Sequence, residues 1–500
     1  MSMQDAFWAA VILGILLVVS RLIRQNVQWL RALFLPSSLI AGGLALLLGP
    51  QVLGAAALRL AGEGTWLQHG LFPAQTPAIW SSLPGLLISV VFAALLMGKP
   101  IPGLKKIWYT AGPQVCFGQT MAWGQYVVGL LLAILVLTPV FGLPEIAGAL
   151  IEIAFEGGHG TAAGMGQAFH EAGWPAGQDL ALGLATVGLV GGVLLGTILI
   201  NIAVRRGVIQ PGADAGSLAD VKLYSEDITE AEIRELIRDK ERESQPTDPL
   251  SLHLGLVAVA IGIGWLILAA LRGIEAATWG APDAQGNATR VFTHVPLFPM
   301  AMIGGVLIQI VFDRLGKSHL ISYRLMSRIS GAALDYTIVA ALGTLSLRAI
   351  GDNFVPFLLL AFAGAAWNLF VVIVIAPRMI PTAWFERSIG DFGQSMGVTV
   401  TGLLLMRVSD PTNKSGALES FGYKQMLFEP IVGGGLFTGA SIGLILALGA
   451  RTVLGITAAV TVFWLLFGFI AFGRLARRNR MAEREQRAEA APREQSLLEK

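Results

Sequence analysis

The sequence predicts an all-α polytopic membrane protein: two inverted five-helix repeats, each with a re-entrant glycine-rich hairpin, plus an extra C-terminal span. Three observations predict it. Of 500 residues, 54% are hydrophobic and only 14% are charged, where a soluble domain carries about a quarter charged residues. The mean hydropathy is +0.66, and the apolar residues fall in runs near the ~20 needed to cross a bilayer core. Finally, one order of features occurs twice along the chain, and the basic residues give the two occurrences opposite orientation. A β-barrel would show short alternating segments instead.

The spans follow in order, with arginine and lysine marking the inner side. The first, about 7–20, is followed by Arg21, Arg24 and Arg31. A cleaved signal peptide carries its charge before the apolar run, so this segment reads as a retained helix with its N-terminus outside. Span 2 (about 32–50) exits and span 3 (about 80–98) returns to Lys99, Lys105 and Lys106. Span 4 (about 115–139) exits, and span 5 (about 178–203) ends inside at Arg205 and Arg206. Between them, a stretch near 144–172 is too rich in glycine to be a clean span and reads as a hairpin. Residues 1–203 thus form the first repeat, and 204–250 a charged cytoplasmic linker. Within the linker, 229–240 reads as a short amphipathic helix, because Thr229 and Glu232 have capping-box spacing and Ile233, Leu236 and Ile237 share a face.

The second repeat, 251–450, starts from the opposite side. Spans 6 (about 251–271), 7 (about 296–312), 8 (about 329–347) and 9 (about 354–376) lead to a second hairpin near 381–411. Span 10 (about 424–448) follows, then an additional helix at 451–473 and a cytoplasmic tail at 474–500, read as solvated or disordered. Every basic cluster lands inside, as does the C-terminus. The single cysteine, Cys116, excludes an internal disulfide or a cysteine zinc site. No basic stripe for nucleic acid is present.

The repeat is visible in three places. LFLPSSLIAGGLALLL (33–48) resembles LFPMAMIGGVLIQIV (297–311), FEGGHGTAAGMGQAF (155–169) lines up with FGQSMGVTVTGLLLM (392–406), and VGLVGGVLLG (187–196) meets VGGGLFTGAS (432–441). Inverted halves with glycine-interrupted segments at matching positions point to a secondary transporter. Lipid cannot satisfy non-helical backbone, so such segments survive only inside protein or beside water. There, freed N–H groups bind anions and freed carbonyls bind cations. Glycines can also simply permit tight helix packing, which is the reading preferred for Gly42, Gly43, Gly304 and Gly305.

EGGHGTAAG (156–164), followed by ATVGLVGG (185–192), resembles the first hairpin and following helix of the bacterial sodium/glutamate symporter family. LPSSLIAGGL (35–44) is similar to that family's second span, and GDFGQSMGVTVTG (390–402) keeps a comparable pattern at Gly390, Gly393, Gly397, Thr399 and Thr401. The resemblance implies a sodium-coupled symporter of glutamate or a related amino acid or carboxylate. It also implies sodium as the coupling ion, a homodimer, and the bacterial cytoplasmic membrane. Glu156, Asp391 and Glu429 depart from the family's neutral positions, which suits a cation, a proton or a positively charged group.

The candidate site residues are Glu156, Gly157, Gly158, His159, Gly160, Thr161, Asp391, Gln394, Ser395, Gly397, Thr399, Thr401 and Arg407. Glu156 and Asp391 would ligate sodium or carry a proton, or else form structural pairs. Asp335 and Glu429 are weaker candidates for the same roles. His159 would bind a carboxylate or titrate, or be satisfied by its neighbours. Hydroxyls of Thr161, Ser395, Thr399 and Thr401 would meet sodium or substrate, or bond back to their own helix. Arg407 would grip a carboxylate, or reach for the inner interface. Trp123, Trp367 and Trp384 read as interface anchors. An enzyme is not expected, because the sequence offers no nucleophile–base pair or metal set and His170-Glu171 lacks the second histidine of HExxH; no Walker A motif supports ATP-driven transport. The alternatives are a proton-coupled transporter of another solute on this scaffold, or a passive channel.

Overall fold

The computed structural model describes residues 2–28, 30, 35–62, 65–98, 104–209, 249–280, 291–411 and 413–498. The linker at 210–248, with the helix expected at 229–240, lies outside them. Among the described residues, ten helices are long and apolar enough to span a membrane. They are α1 (Met3–Asn26), α2 (Ser37–Ala61), α3 (Thr76–Leu95), α4 (Ile107–Phe141), α8 (Ala176–Arg205), α9 (Pro249–Ala277), α10 (Leu297–Arg314), α11 (Tyr323–Gly343), α13 (Phe354–Met379) and the Ala450–Met481 part of α17 (Ala450–Leu498). Short helices fill the first broken stretch: a 3-10 turn at Glu145–Ala149, then α5 (Leu150–Phe155), α6 (Gly158–Gly164) and α7 (Gly166–Glu171). Helix α12 (Leu347–Asp352) links α11 to α13. The second broken stretch is α14 (Trp384–Ser409), interrupted at Gly397 and Val398.

Two expectations are corrected. The tenth span is not one helix but two, α15 (Ala417–Phe428) and α16 (Leu436–Leu448), separated by non-helical backbone. Pro430 and the Gly433-Gly434-Gly435 run explain the break, since proline removes a donor and glycine favours left-handed backbone. Helix α8, whose 187–196 the sequence aligns with 432–441, is unbroken. The tail, read as solvated or disordered, continues α17 as helix to Leu498, which sets aside the disordered alternative. Its alanine, glutamate, arginine and glutamine are strong helix formers, which sequence polarity alone conceals.

The helices pack in pairs. Helix α1 lies on α2 as α9 lies on α10, α2 lies on α11 as α10 lies on α3, and α4 lies on α15 as α13 lies on α8. Glycines set several of these crossings. Gly304 abuts the Ala260 carbonyl, Gly305 abuts the Ala93 carbonyl, and a methyl on Gly42 would stand 2.6 Å from Leu342 Cβ. The packing reading therefore holds for these three, while Gly43 faces open space. Both α4 and α13 end in a π turn, at Ala133–Leu137 and Val371–Ile375, followed by a final turn whose second residue is Pro139 or Pro377. The largest buried cluster runs through α3, α4, the two broken stretches, α8 and α13. Trp123 belongs to it: buried against Tyr126 and Phe437, it is a core residue and not an interface anchor.

Candidate functional site

The site is built from three interruptions of helix. In the first broken stretch, α5 ends at Phe155, and the N–H groups of Glu156 and Gly157 both bond to the Glu152 carbonyl at 3.1 and 2.9 Å. Gly158 then turns at a φ of +69° and starts α6. In the second stretch, Gly397 (φ −155°, ψ 45°) and Val398 (φ 60°, ψ 175°) leave helical geometry. The chain folds back there: a methyl on Gly393 would stand 2.7 Å from Gly402 Cα, and Gly390 packs on Met406. The third interruption is the segment between α15 and α16.

These interruptions touch. A methyl on Gly158 would overlap Val398 Cγ1, one on Gly433 would meet Glu156 Cγ at 3.4 Å, and one on Gly434 would come within 2.6 Å of Thr161 Oγ1. Freed backbone groups are satisfied by side chains, as burial demands. The Ser395 carbonyl accepts from Gln125 Nε2 at 2.8 Å and from Asn368 Nδ2 at 2.7 Å. The Gly397 carbonyl accepts from Thr401 Oγ1 at 2.6 Å. The Gly433 N–H donates to Glu152 Oε1 at 2.7 Å.

Four carboxylates line the meeting point, and their environments differ. Glu152 is fully buried and saturated: besides Gly433 it accepts from Thr438 Oγ1 at 2.8 Å and from the Tyr126 hydroxyl at 2.5 Å. Asp391, also fully buried, takes the Lys424 ammonium on Oδ1 at 2.9 Å, while Oδ2 has no partner. Glu429 Oε1 accepts from Gln425 Nε2 at 3.0 Å and from Thr399 Oγ1 at 3.3 Å. Glu156 is 3% exposed, yet neither of its oxygens has a hydrogen bond of good geometry. The Ser395 hydroxyl faces it. Thr161 Oγ1, also buried, is without a partner. A carboxyl group and a hydroxyl left open at one meeting point are oxygen ligands of the kind a hard cation takes.

The structure thus brings together Glu156, Gly157, Gly158, Thr161, Asp391, Gln394, Ser395, Gly397 and Thr399. Gly160 is adjacent but packs outward on Ile88 and Leu334. Thr401 back-bonds to its own arm, and His159 Nε2 bonds Thr186 Oγ1 at 2.9 Å. Thr186 Oγ1 also lies 3.1 Å from the Leu182 carbonyl, so His159 has the arrangement of a histidine satisfied by its neighbour. Arg407 is a correction. It is exposed and nine residues beyond the Val398 break, so about 13 Å up the arm at the helical rise. Asp335 is likewise exposed, with Ser38 as its polar neighbour, and lies outside the cluster.

The cation at the centre is instead Lys424, which sequence reading missed together with Glu152, Tyr126, Gln125, Asn368, Gln425 and Thr438. Lys424 was lost because a hydropathy window starts the tenth span at it. The helix in fact begins at Ala417, which puts Lys424 in its interior. Glu152 had a usable signal, since it precedes Glu156 by four residues, the spacing that shares a helix face. Fold and site together define a multi-pass helical membrane protein with a buried, charged centre where three helices are interrupted. Compared with protein-family models and with curated proteins, the chain matches none.

Proposed function

We propose that this protein is a secondary active transporter, a sodium-coupled symporter of glutamate or a related amino acid or carboxylate that works by alternating access in the bacterial cytoplasmic membrane. One observation carries the reading: three backbone interruptions converge on a buried Glu156 whose oxygens are open, beside the open Thr161 hydroxyl. Such a centre is costly in a membrane protein unless it binds something. Sodium neutralises Glu156, and bound substrate completes the polar shell. The inverted-repeat reading draws support from the corresponding packing of the two halves and from the π turn and proline that end both α4 and α13. In that arrangement the two broken stretches are re-entrant hairpins reaching the centre from opposite sides, and rocking of one half against the other exposes it alternately. The likeness of residues 156–164 to the sodium/glutamate symporters supports the choice of ion and substrate. A homodimer belongs to the same proposal.

A second reading, proton coupling with another solute, is favoured by the buried Lys424–Asp391 pair, an acid–base couple at the centre. Uptake of labelled glutamate into proteoliposomes, with and without an inward sodium gradient, separates the two. Sodium-driven accumulation that Glu156→Gln abolishes supports the first. Accumulation driven only by a proton gradient supports the second. No uptake of any amino acid or carboxylate by folded protein rejects both.

A further inference from the structure

Lys424 is held in a way that a structural lysine does not need. It is 1% exposed on α15. Its Nζ donates to Asp391 Oδ1 at 2.9 Å and to Gln394 Oε1 at 2.7 Å. It also stands 3.8 Å above the centre of the Phe428 ring, with Phe421 at 5.2 Å. A carboxylate oxygen, an amide oxygen and an aromatic face satisfy the ammonium, and they are groups that also attract a monovalent metal cation. The stem reaches this shell past Gly118 on α4, where a methyl would stand 2.7 Å from Lys424 Cε. One more oxygen there, Asp391 Oδ2, has no hydrogen bond of good geometry, and the Gln114 amide is its neighbour. The charged groups around it are Asp391 and Arg387 on α14, Glu156 and Glu152 on the first broken stretch, and Glu429 beyond the end of α15. The facing surface of α4 is neutral there, with Gln114 and Gly118.

We propose that Lys424 is a tethered cation occupying a second cation position, built from both Asp391 oxygens, Gln394 and the Phe428 ring, and that removing its ammonium turns this position into a sodium site. The centre then has two cation positions. The chain fills one permanently, and the other, at Glu156, is left for an exchangeable ion. The consequence for coupling rests on the transporter reading, because it sets the number of ions moved per cycle one lower than the number of positions. The site claim itself is read by binding alone.

The test uses the full chain in detergent, with thermal unfolding compared in sodium and in potassium. Lys424→Met keeps the length of the stem and leaves Asp391 without its counter-charge. The expected result is that Lys424→Met is destabilised in potassium and regains stability in sodium, by a shift larger than wild type shows, since a ligand that binds only the folded state stabilises it by mass action. Lys424→Met/Asp391→Asn removes both charges and is expected to unfold alike in the two salts, apart from the wild-type response. In liposomes, the sodium dependence of uptake by Lys424→Met is expected to steepen by one ion. The proposal is overturned if sodium restores Lys424→Met no more than wild type, or if the double variant keeps the extra sodium response. Should Lys424→Met be recovered only when purified in sodium, the proposal stands. Failure in both salts with recovery of the double variant overturns it, because sodium then cannot replace the ammonium. Failure of the double variant as well also overturns it, because Lys424 is then needed for packing and not as a counter-charge. Sodium rescue in a protein that transports nothing would leave this site standing and remove the transporter reading alone.

Discussion

Gly158 is the point at which the first and second broken stretches touch, and a single methyl tests that contact. Gly158→Ala asks an L-residue to hold a φ of +69°, which costs about 1–2 kcal/mol. The new methyl also overlaps Val398 Cγ1, and overpacking of a fitted contact costs about 1–3 kcal/mol. The sum is about 2–5 kcal/mol, enough for a clear drop in the unfolding temperature. The two parts are separable. In Val398→Ala the overlapping carbon is gone, and the remaining distance to Val398 Cβ, 3.6 Å, is ordinary contact. Val398→Ala alone loses a half-exposed pair of methyls, about 1 kcal/mol. Gly158→Ala/Val398→Ala should therefore recover about 1–3 kcal/mol relative to additivity, leaving mainly the backbone cost. All four proteins are compared by thermal unfolding in detergent and by uptake in liposomes. Strict additivity would refute the reasoning, because it would mean that the two stretches do not meet at these residues.

The Glu152 carboxylate holds three donors, so Glu152→Ala strands the Gly433 N–H and the Tyr126 and Thr438 hydroxyls; at about 1–3 kcal/mol for a stranded donor the loss is about 3–9 kcal/mol, whereas Glu152→Gln keeps an acceptor and loses about 1–2 kcal/mol. Equal unfolding temperatures for the two variants would contradict this. Gln125→Ala or Asn368→Ala leaves one cap on the Ser395 carbonyl and should cost about 1 kcal/mol each, while the double variant buries a bare carbonyl and should cost about 1–3 kcal/mol more than their sum, measured by the same unfolding. Asp410 lies beyond the second arm; burial there works to raise its carboxyl, but the hydrogen bonds from Ser415 and Lys414 prevail and hold it below its usual value. A lowered folded-state value means the contribution is present above the unfolded value of about 3.9 and is lost as pH falls through the lower folded value. Hydrogen exchange at Lys414 and Ser415 should therefore stay slow until below that pH, and Asp410→Asn should remove the transition.

Much of the architecture is legible because the bilayer imposes one strong rule, an apolar run of fixed length. Spans such as 178–203 and 354–376 fall within a few residues of α8 and α13. The broken stretches are legible for the same reason, since glycine and charge stand out against that background. The same rule hides what interrupts it. A hydropathy window leaves Lys424 at the very edge of the tenth span, and it passes over Pro430 and three glycines because Leu436–Leu448 restores the average. Within the site, Glu156 and Asp391 were visible as charges in apolar surroundings. Gln125 and Asn368 were not. Their role depends on the Ser395 carbonyl being free, and only the break at Gly397 frees it. Arg407 erred in the other direction. Nearness in sequence to a hairpin does not say how far along the arm a side chain sits.

The π turns at Ala133–Leu137 and Val371–Ile375 bear on how the centre is aimed. A proline ring collides with the carbonyl four residues before it, and for Pro139 and Pro377 those carbonyls belong to Leu135 and Ile373, inside the wider turns. Each turn holds one residue more than the helix requires, and each extra residue rotates everything downstream by about 100° about the axis. The compass heading of each broken stretch is therefore set a full turn earlier, by a surplus residue on an apolar span. Deleting one residue from either turn would leave composition, hydropathy and charge almost unchanged, yet it would point Glu156 or Asp391 at a different neighbour.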